Sequence, residues 1–214
     1  MSHSIRENIT QIRQEIGNAE LVVVSKYRTI EELNQVYETN QRNFAENRVQ
    51  ELTKKKELMP DDIHWHMIGH LQTNKVKFIA PFIHLIQSVD RIKLLKEINK
   101  EAKKNNRVIP ILFQVHIAEE EHKFGFSLYD LTTMIESNQL SEFNNIEVKG
   151  LMGMATNTTD KKIVTTEFIK LNSFFDKWKN QMTWSTLSMG MSGDYIQAIE
   201  CGSTLIRVGS KIFQ

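Results

Sequence analysis

Apolar residues along this chain fall into two alternating kinds of run. Ile5, Ile9, Ile12 and Ile16 recur at spacings of 4, 3 and 4, which puts one apolar stripe on a helix over residues 4–16. Residues 21–25 (LVVVS) follow as a short β-branched run without polar alternation, the pattern of a strand buried on both faces of a parallel sheet. The alternation then continues. Helical spacing predicts helices over 30–40, 49–58, 74–80, 91–105, 128–137, 160–179 and 195–201, with Pro81 stopping the third of these. Apolar runs predict strands over 43–45, 65–68, 85–89, 109–117, 148–154, 186–189 and 204–208. Eight strands, the first seven each followed by a helix, imply parallel βα units. With no linker or low-complexity tract between them, they predict one (β/α)8 TIM-like barrel domain over 1–214, with an extra N-terminal helix. An open α/β sheet is the alternative if strand 43–45 or the helix after it fails to form.

Composition narrows the class of protein more than its shape. Hydrophobic residues make up 40% of the 214 positions and charged residues 25%, which excludes intrinsic disorder for most of the chain. Lys and Arg number 27 against 26 Asp and Glu, a net charge of +1, which argues against an electrostatic nucleic-acid binder. Cys201 is the single cysteine, so an intrachain disulfide and a cysteine-based zinc site are both excluded. The polar, amphipathic start has no apolar core like that of a signal peptide, and no run is long enough to span a bilayer. A cytoplasmic monomer is the expectation.

In such barrels the reactive groups sit at the C-terminal ends of the strands. The polar residues just after each apolar run are therefore expected to converge: Lys26, Glu46–Asn47–Arg48, Gly69–His70, Asp90, Thr156–Asn157, Ser192–Gly193–Asp194 and Gly209–Ser210. Lys26 ends VVVSK; a lysine desolvated at that position becomes a nucleophile toward aldehydes, the alternative being a solvated strand end. Ser192, Gly193, Gly209 and Ser210 fall in the loops after strands seven and eight, where a phosphate is often held, although they could equally be turn residues. Arg207 lies inside an apolar strand and needs an anion or acceptor, or an ion-pair partner such as Glu46. A lysine, a phosphate cradle and a cation between them describe one ligand well, pyridoxal 5'-phosphate held as a lysine Schiff base.

Seven motifs then point to one family. They are VVSK ending at Lys26, F-x-E-N-R-V-Q-E from Phe44, H-M-I-G-H-L-Q-T-N-K from His66, K-F-G from Lys123, G-L-M-G-M from Gly150, S-M-G-M-S-G-D from Ser188 and G-S-T-L-I-R-V-G-S-K-I-F from Gly202. In this order and spacing the chain resembles the pyridoxal-phosphate homeostasis proteins (the YggS/PROSC family) over essentially its whole length. The resemblance implies a barrel like the N-terminal domain of alanine racemase, cofactor on the first-strand lysine, no established turnover, and a role in buffering cellular pyridoxal phosphate. It also implies roles for residues: Lys26 as the Schiff-base lysine, Arg207 facing the pyridine nitrogen, Ser192, Gly209 and Ser210 as phosphate ligands, and Asn47 near the ring. Ala45 departs from the usual glycine of G-E-N, which is expected to tighten the second-strand loop, and the chain stops at Phe213–Gln214 where relatives continue briefly.

Two functions compete on this reading, a carrier that passes the cofactor to apo pyridoxal-phosphate enzymes and an amino-acid racemase. Racemisation needs acid/base groups on both cofactor faces, and no second domain is seen to supply one, so the carrier is expected. The remaining signals read as structural. His64, His66 and His70 lack an accompanying carboxylate for a metal site, and Lys54–Lys55–Lys56 reads as a solvated helix face. Lys123 is a loop lysine that could serve as a second aldehyde site, and Met152, Met154, Met189 and Met191 read as core.

Overall fold

Helix and strand alternate throughout the computed structural model, which describes residues 4–118 and 124–214. In chain order the elements are α1 (Ile5–Glu15), β1 (Glu20–Val24), α2 (Ile30–Tyr37), β2 (Asn43–Glu46), α3 (Val49–Leu58), β3 (His64–Met67), α4 (Val76–Ile79), β4 (Leu85–Val89), α5 (Ile92–Lys104), β5 (Ile109–Val115), α6 (Leu128–Glu136), β6 (Ile146–Gly153), α7 (Lys161–Met182), β7 (Thr186–Ser188), α8 (Tyr195–Glu200) and β8 (Leu205–Val208). The strands pair in sequence order and close into a barrel, with every pairing parallel. The closing pair sets Val22 of β1 opposite Arg207 of β8, which brings the two ends of the sheet together.

Local chemistry explains the helix starts nearest the barrel's reactive end. Thr29 and Glu32 form a capping box at the start of α2, and Ser4 and Glu7 form another at α1. The helix expected over 74–80 shortens to a 3-10 turn at Thr73–Lys75 and the single turn of α4 before Pro81. Strand β6 begins earlier than expected and carries a bulge: Val148 pairs with Ile111, whereas Gly150 pairs with Leu112. Gly150 holds φ +148°, and a Cβ there would lie 1.9 Å from the Thr186 carbonyl oxygen, so only glycine lets β7 approach.

The main core fills the space between the barrel and its helices, with Phe44, Trp65, Phe113 and Phe168 among its largest members. Inside the barrel, smaller groups stack in layers: Val22, Ala45 and Leu205 in one, Leu85, Leu112 and Met152 in another. Ala45, where the resemblance led to a glycine, thus fills part of the barrel interior. Among the described residues no helix is long and apolar enough to cross a membrane.

Candidate functional site

The C-terminal ends of the strands enclose a cavity of about 540 Å³, inside the range of roughly 300–1,000 Å³ usual for small-molecule sites. Its lining includes all six candidate residues, Lys26, Asn47, Ser192, Arg207, Gly209 and Ser210. Gly69, His70 and Gly193 join them, as expected from the strand ends. Asp90 lies beneath His70 as its hydrogen-bond partner, and Thr156 and Asn157 line a neighbouring cavity instead.

Lys26 is exposed and stands on a tight turn in which the Arg28 N–H donates to the Ser25 carbonyl at 3.1 Å. Tyr27 takes φ +64°, a left-handed conformation that costs a residue with a Cβ about 1 kcal/mol or more. The desolvation expected for the lysine is absent, and the turn's support comes from below. Lys55 of α3 donates to the Ser25 carbonyl at 2.7 Å and to Glu46 at 2.6 Å, and the Ser25 hydroxyl bonds the same carboxylate oxygen at 2.7 Å. Lys55 is only 4% exposed, so the solvated-face reading of 54–56 fails at its middle residue. The reason is helical phase: Lys55 shares the inward side of α3 with Leu52. Glu46 is thereby engaged by Lys55 and Ser25 and is not the partner of Arg207.

Arg207 is buried, and its guanidinium donates to the Ser188 hydroxyl and, at 3.0 Å, to the Gly153 carbonyl. Burial pushes its pKa down to about 10, with Asp194 nearby acting in the opposite direction, and it stays charged at neutral pH. Its permanent charge orders a chain of protons across the barrel interior. Ser188 donates to the Gln87 side-chain oxygen at 2.7 Å, and the Gln87 amide donates to Nδ1 of His66 at 2.9 Å. The His66 proton must then sit on Nε2, which is buried without a partner among the described residues. Burial is the largest cause, ahead of the neighbouring His84 and His64, of a His66 pKa pushed down to about 3, so the ring is neutral. Among the described residues no cluster of His, Cys, Asp or Glu is placed to hold a metal ion.

The last two loops are tied to each other: the Gly209 N–H donates to the Ser192 hydroxyl oxygen at 3.2 Å. Gly209 is so close to β1 that a Cβ would sit 3.1 Å from the Val24 carbonyl oxygen. The hydroxyls of Ser192 and Ser210 border the cavity from these two loops, beside Gly193 and Gly209, and are donors for an anion. On the opposite side, a Cβ on Gly69 would lie 2.2 Å from the Asn47 carbonyl oxygen; the glycine lets the β2 and β3 loops close up and bring Asn47 and His70 to the same rim.

Sequence reasoning missed Gln114 and Phe124. Phe126 lies parallel to the end of β5, with its N–H on the Gln114 carbonyl at 2.8 Å and the His116 N–H on its carbonyl at 3.0 Å. The Gln114 amide then holds the Phe124 carbonyl at 2.8 Å, which sets that ring over the cavity. The K-F-G motif was the available signal. Lys123 lies outside the described residues. Of the four methionines, Met152 and Met189 are core, while Met154 and Met191 line the cavity.

A barrel of this topology with a lysine closing its first strand is of the alanine-racemase type, and the family model for the alanine racemase N-terminal domain matches residues 2–214. The alanine racemase of Bartonella henselae shares this fold at a TM-score of 0.78 and 17% identity over 98% of this chain and 58% of that one. Nearer relatives narrow the class. The pyridoxal phosphate homeostasis protein of Aquifex aeolicus is 38% identical over 91% of this chain and 86% of its own length. PipY of Synechococcus elongatus, solved with PLP (pyridoxal phosphate) bound, superimposes at a TM-score of 0.90 with 29% identity, over 99% of this chain and 100% of PipY. The chain belongs to the pyridoxal phosphate homeostasis protein family.

Proposed function

We propose that this chain binds pyridoxal 5'-phosphate in the strand-end cavity, covalently through Lys26 as a Schiff base, and serves in intracellular pyridoxal phosphate homeostasis without appreciable turnover. The observation that carries the reading is the pairing, across one cavity, of an exposed lysine with a buried, hydrogen-bonded arginine. The donor set suits the ligand: an amine for its aldehyde, a fixed cation for its ring, and the Ser192 and Ser210 hydroxyls in glycine-flanked loops for its phosphate. When bound, the cofactor supplies an electrophilic carbon to amines.

Each residue then has a distinct task. Lys26 supplies the nitrogen, Arg207 faces the pyridine nitrogen, Ser192, Gly209 and Ser210 hold the phosphate, and Asn47 borders the ring. Arg207 also bears on turnover. A guanidinium that is always charged cannot accept a proton from the pyridine nitrogen and disfavours one there, so electrons are poorly withdrawn from a substrate's α-carbon. The expected partners are apo pyridoxal-phosphate enzymes that receive the cofactor.

Borohydride reduction of protein loaded with pyridoxal phosphate, followed by peptide mapping, tests the assignment. The pyridoxyl group is expected on Lys26, and its appearance only on another lysine overturns the reading. Incubation with single-enantiomer amino acids in deuterated water tests the absence of turnover. Deuterium entering the α-carbon at about 1 s⁻¹ or faster, a typical enzymatic rate, overturns the carrier reading.

A further inference from the structure

Attaching an aldehyde to a lysine moves protons as well as making a bond, and few groups in the cavity can move them. Among the described residues lining it, only Lys26, His70 and Arg207 carry ionisable side chains. Lys26 is the nucleophile, and the charged Arg207 cannot accept a proton. His70 remains, an imidazole with one ring nitrogen that donates and one that accepts.

The surroundings of His70 resemble those of a working acid/base group. Asp90, with a side chain 3% exposed, accepts from Nδ1 at 3.0 Å. The other Asp90 oxygen is held by Arg91, whose guanidinium also donates to the Leu71 carbonyl at 2.9 Å. The imidazole stacks on Phe124 with ring centres 3.9 Å apart. Tautomer and ring plane are therefore both set, and Nε2 has no hydrogen-bond partner among the described residues. His70 also borders a second cavity of about 450 Å³, which shares Asn47 with the first and opens beside it. The charged groups around the ring are Asp90 and Arg91 from the end of β4, Lys26 from the β1 loop, Arg48 and Glu51 at the start of α3, and Lys75 before α4.

We propose that His70, oriented by Asp90, is the proton-transfer group for loading the aldehyde onto Lys26 and for releasing it. It would set how fast cofactor enters and leaves, not how tightly it is held. As Lys26 Nζ bonds to the aldehyde carbon, His70 Nε2 passes the amine's two protons in turn to the carbonyl oxygen. The C–O bond breaks, the oxygen leaves as water, and the C–N link becomes double. In release, water attacks the same carbon, His70 returns the protons to Nζ, and the C–N bond breaks. His70 ends each direction unchanged, and nothing is oxidised or reduced.

The inference rests on the Lys26 reading, so the experiment follows both. Loading of apo protein by pyridoxal phosphate and release into a trapping excess of a small carbonyl reagent are timed by absorbance, and the equilibrium constant is measured separately. His70→Gln is expected to slow both directions by about 100-fold, within the range for general acid–base groups, while affinity changes by less than about two-fold. The inflection in the pH–rate profile should vanish, and added imidazole should restore part of the rate. Asp90→Asn should slow both directions less and move that inflection. Unchanged rates in His70→Gln overturn the proposal. So does weakened affinity with the pH profile retained, which would mark His70 as packing for Phe124. Borohydride mapping of the same samples separates the two readings: a label on Lys26 in both proteins with unaltered rates condemns His70 alone, whereas no label on Lys26 in the wild type overturns both.

Discussion

Lys26 follows β1, Arg207 lies in the neighbouring β8, and both border the same cavity, but the chain treats them differently. The β1 end delivers a lysine that is exposed and free of hydrogen bonds among the described residues, on a turn that includes Tyr27 at positive φ. The β8 end delivers an arginine that is buried and bonded to Ser188 and Gly153, the first member of a chain reaching His66. The difference matches the work proposed for each. A group that forms and breaks a bond must have an unspent lone pair and room to move, whereas a group that recognises a ring must be held before the ring arrives. The rigidity on the Lys26 side is placed one residue back, in the buried Ser25–Glu46–Lys55 cluster, which leaves the amine itself unconstrained.

The contrast can be broken most completely at Lys26. In Lys26→Ala, borohydride should no longer fix a pyridoxyl group on the protein, while equilibrium dialysis should still detect pyridoxal phosphate held by the β7–β8 wall. Loss of all binding would mean that the β7–β8 side is not the recognising wall.

Stability tests the support beneath the lysine. Lys55→Met strands Glu46 as a buried carboxylate and should cost about 3–5 kcal/mol by urea denaturation, with the paired Glu46→Leu/Lys55→Met variant recovering most of it. A loss below about 1 kcal/mol would return the pair to the status of a surface ion pair.

Acid tests the Arg207 chain. His66 has its pKa lowered from 6.5 to about 3 in the folded state, so below pH 6.5 the unfolded chain binds the extra proton and the folded one does not. Stability from this group is present in full above pH 6.5 and falls by about 1.4 kcal/mol per unit on acidification, or about 2 kcal/mol by pH 5. Denaturation midpoints measured against pH should show that slope in the wild type and lose it in His66→Gln; equal slopes would remove His66 from the chain.

The smallest effect belongs to Ser192. Ser192→Ala should weaken pyridoxal phosphate binding by about 0.5–1.5 kcal/mol, and by more, about 1.5–3, if the hydroxyl meets the charged phosphate. Titration with pyridoxal, which lacks the phosphate, should show little of that difference. Equal affinity of wild type and variant for pyridoxal phosphate would leave the hydroxyl as a brace for Gly209 alone.

Much of the candidate site was legible because strand ends are local features. Lys26, Asn47, Ser192, Gly209 and Ser210 each follow an apolar run, Arg207 stands out as a cation inside one, and a parallel barrel gathers such positions at one rim. What escaped depends on partners far along the chain. Lys55 read as one of three solvated lysines, because nothing local shows that it reaches under β1 to the Ser25 carbonyl. Phe124 could not be placed without the hydrogen bond that ties it to Gln114 on β5.

By itself, then, the sequence determined the number, order and kind of the elements and which residues stand at their ends. Those properties follow from hydrophobic period, β-branched runs and capping chemistry within a few residues. Only the tertiary structure decided which polar groups are spent and which are left free: Arg207 on Ser188 and Gly153, Glu46 on Lys55, His70 on Asp90, and Lys26 with none among the described residues. That choice rests on strand register and helix phase, since a shift of one residue along a strand turns an inward side chain outward and exchanges every partner across the barrel.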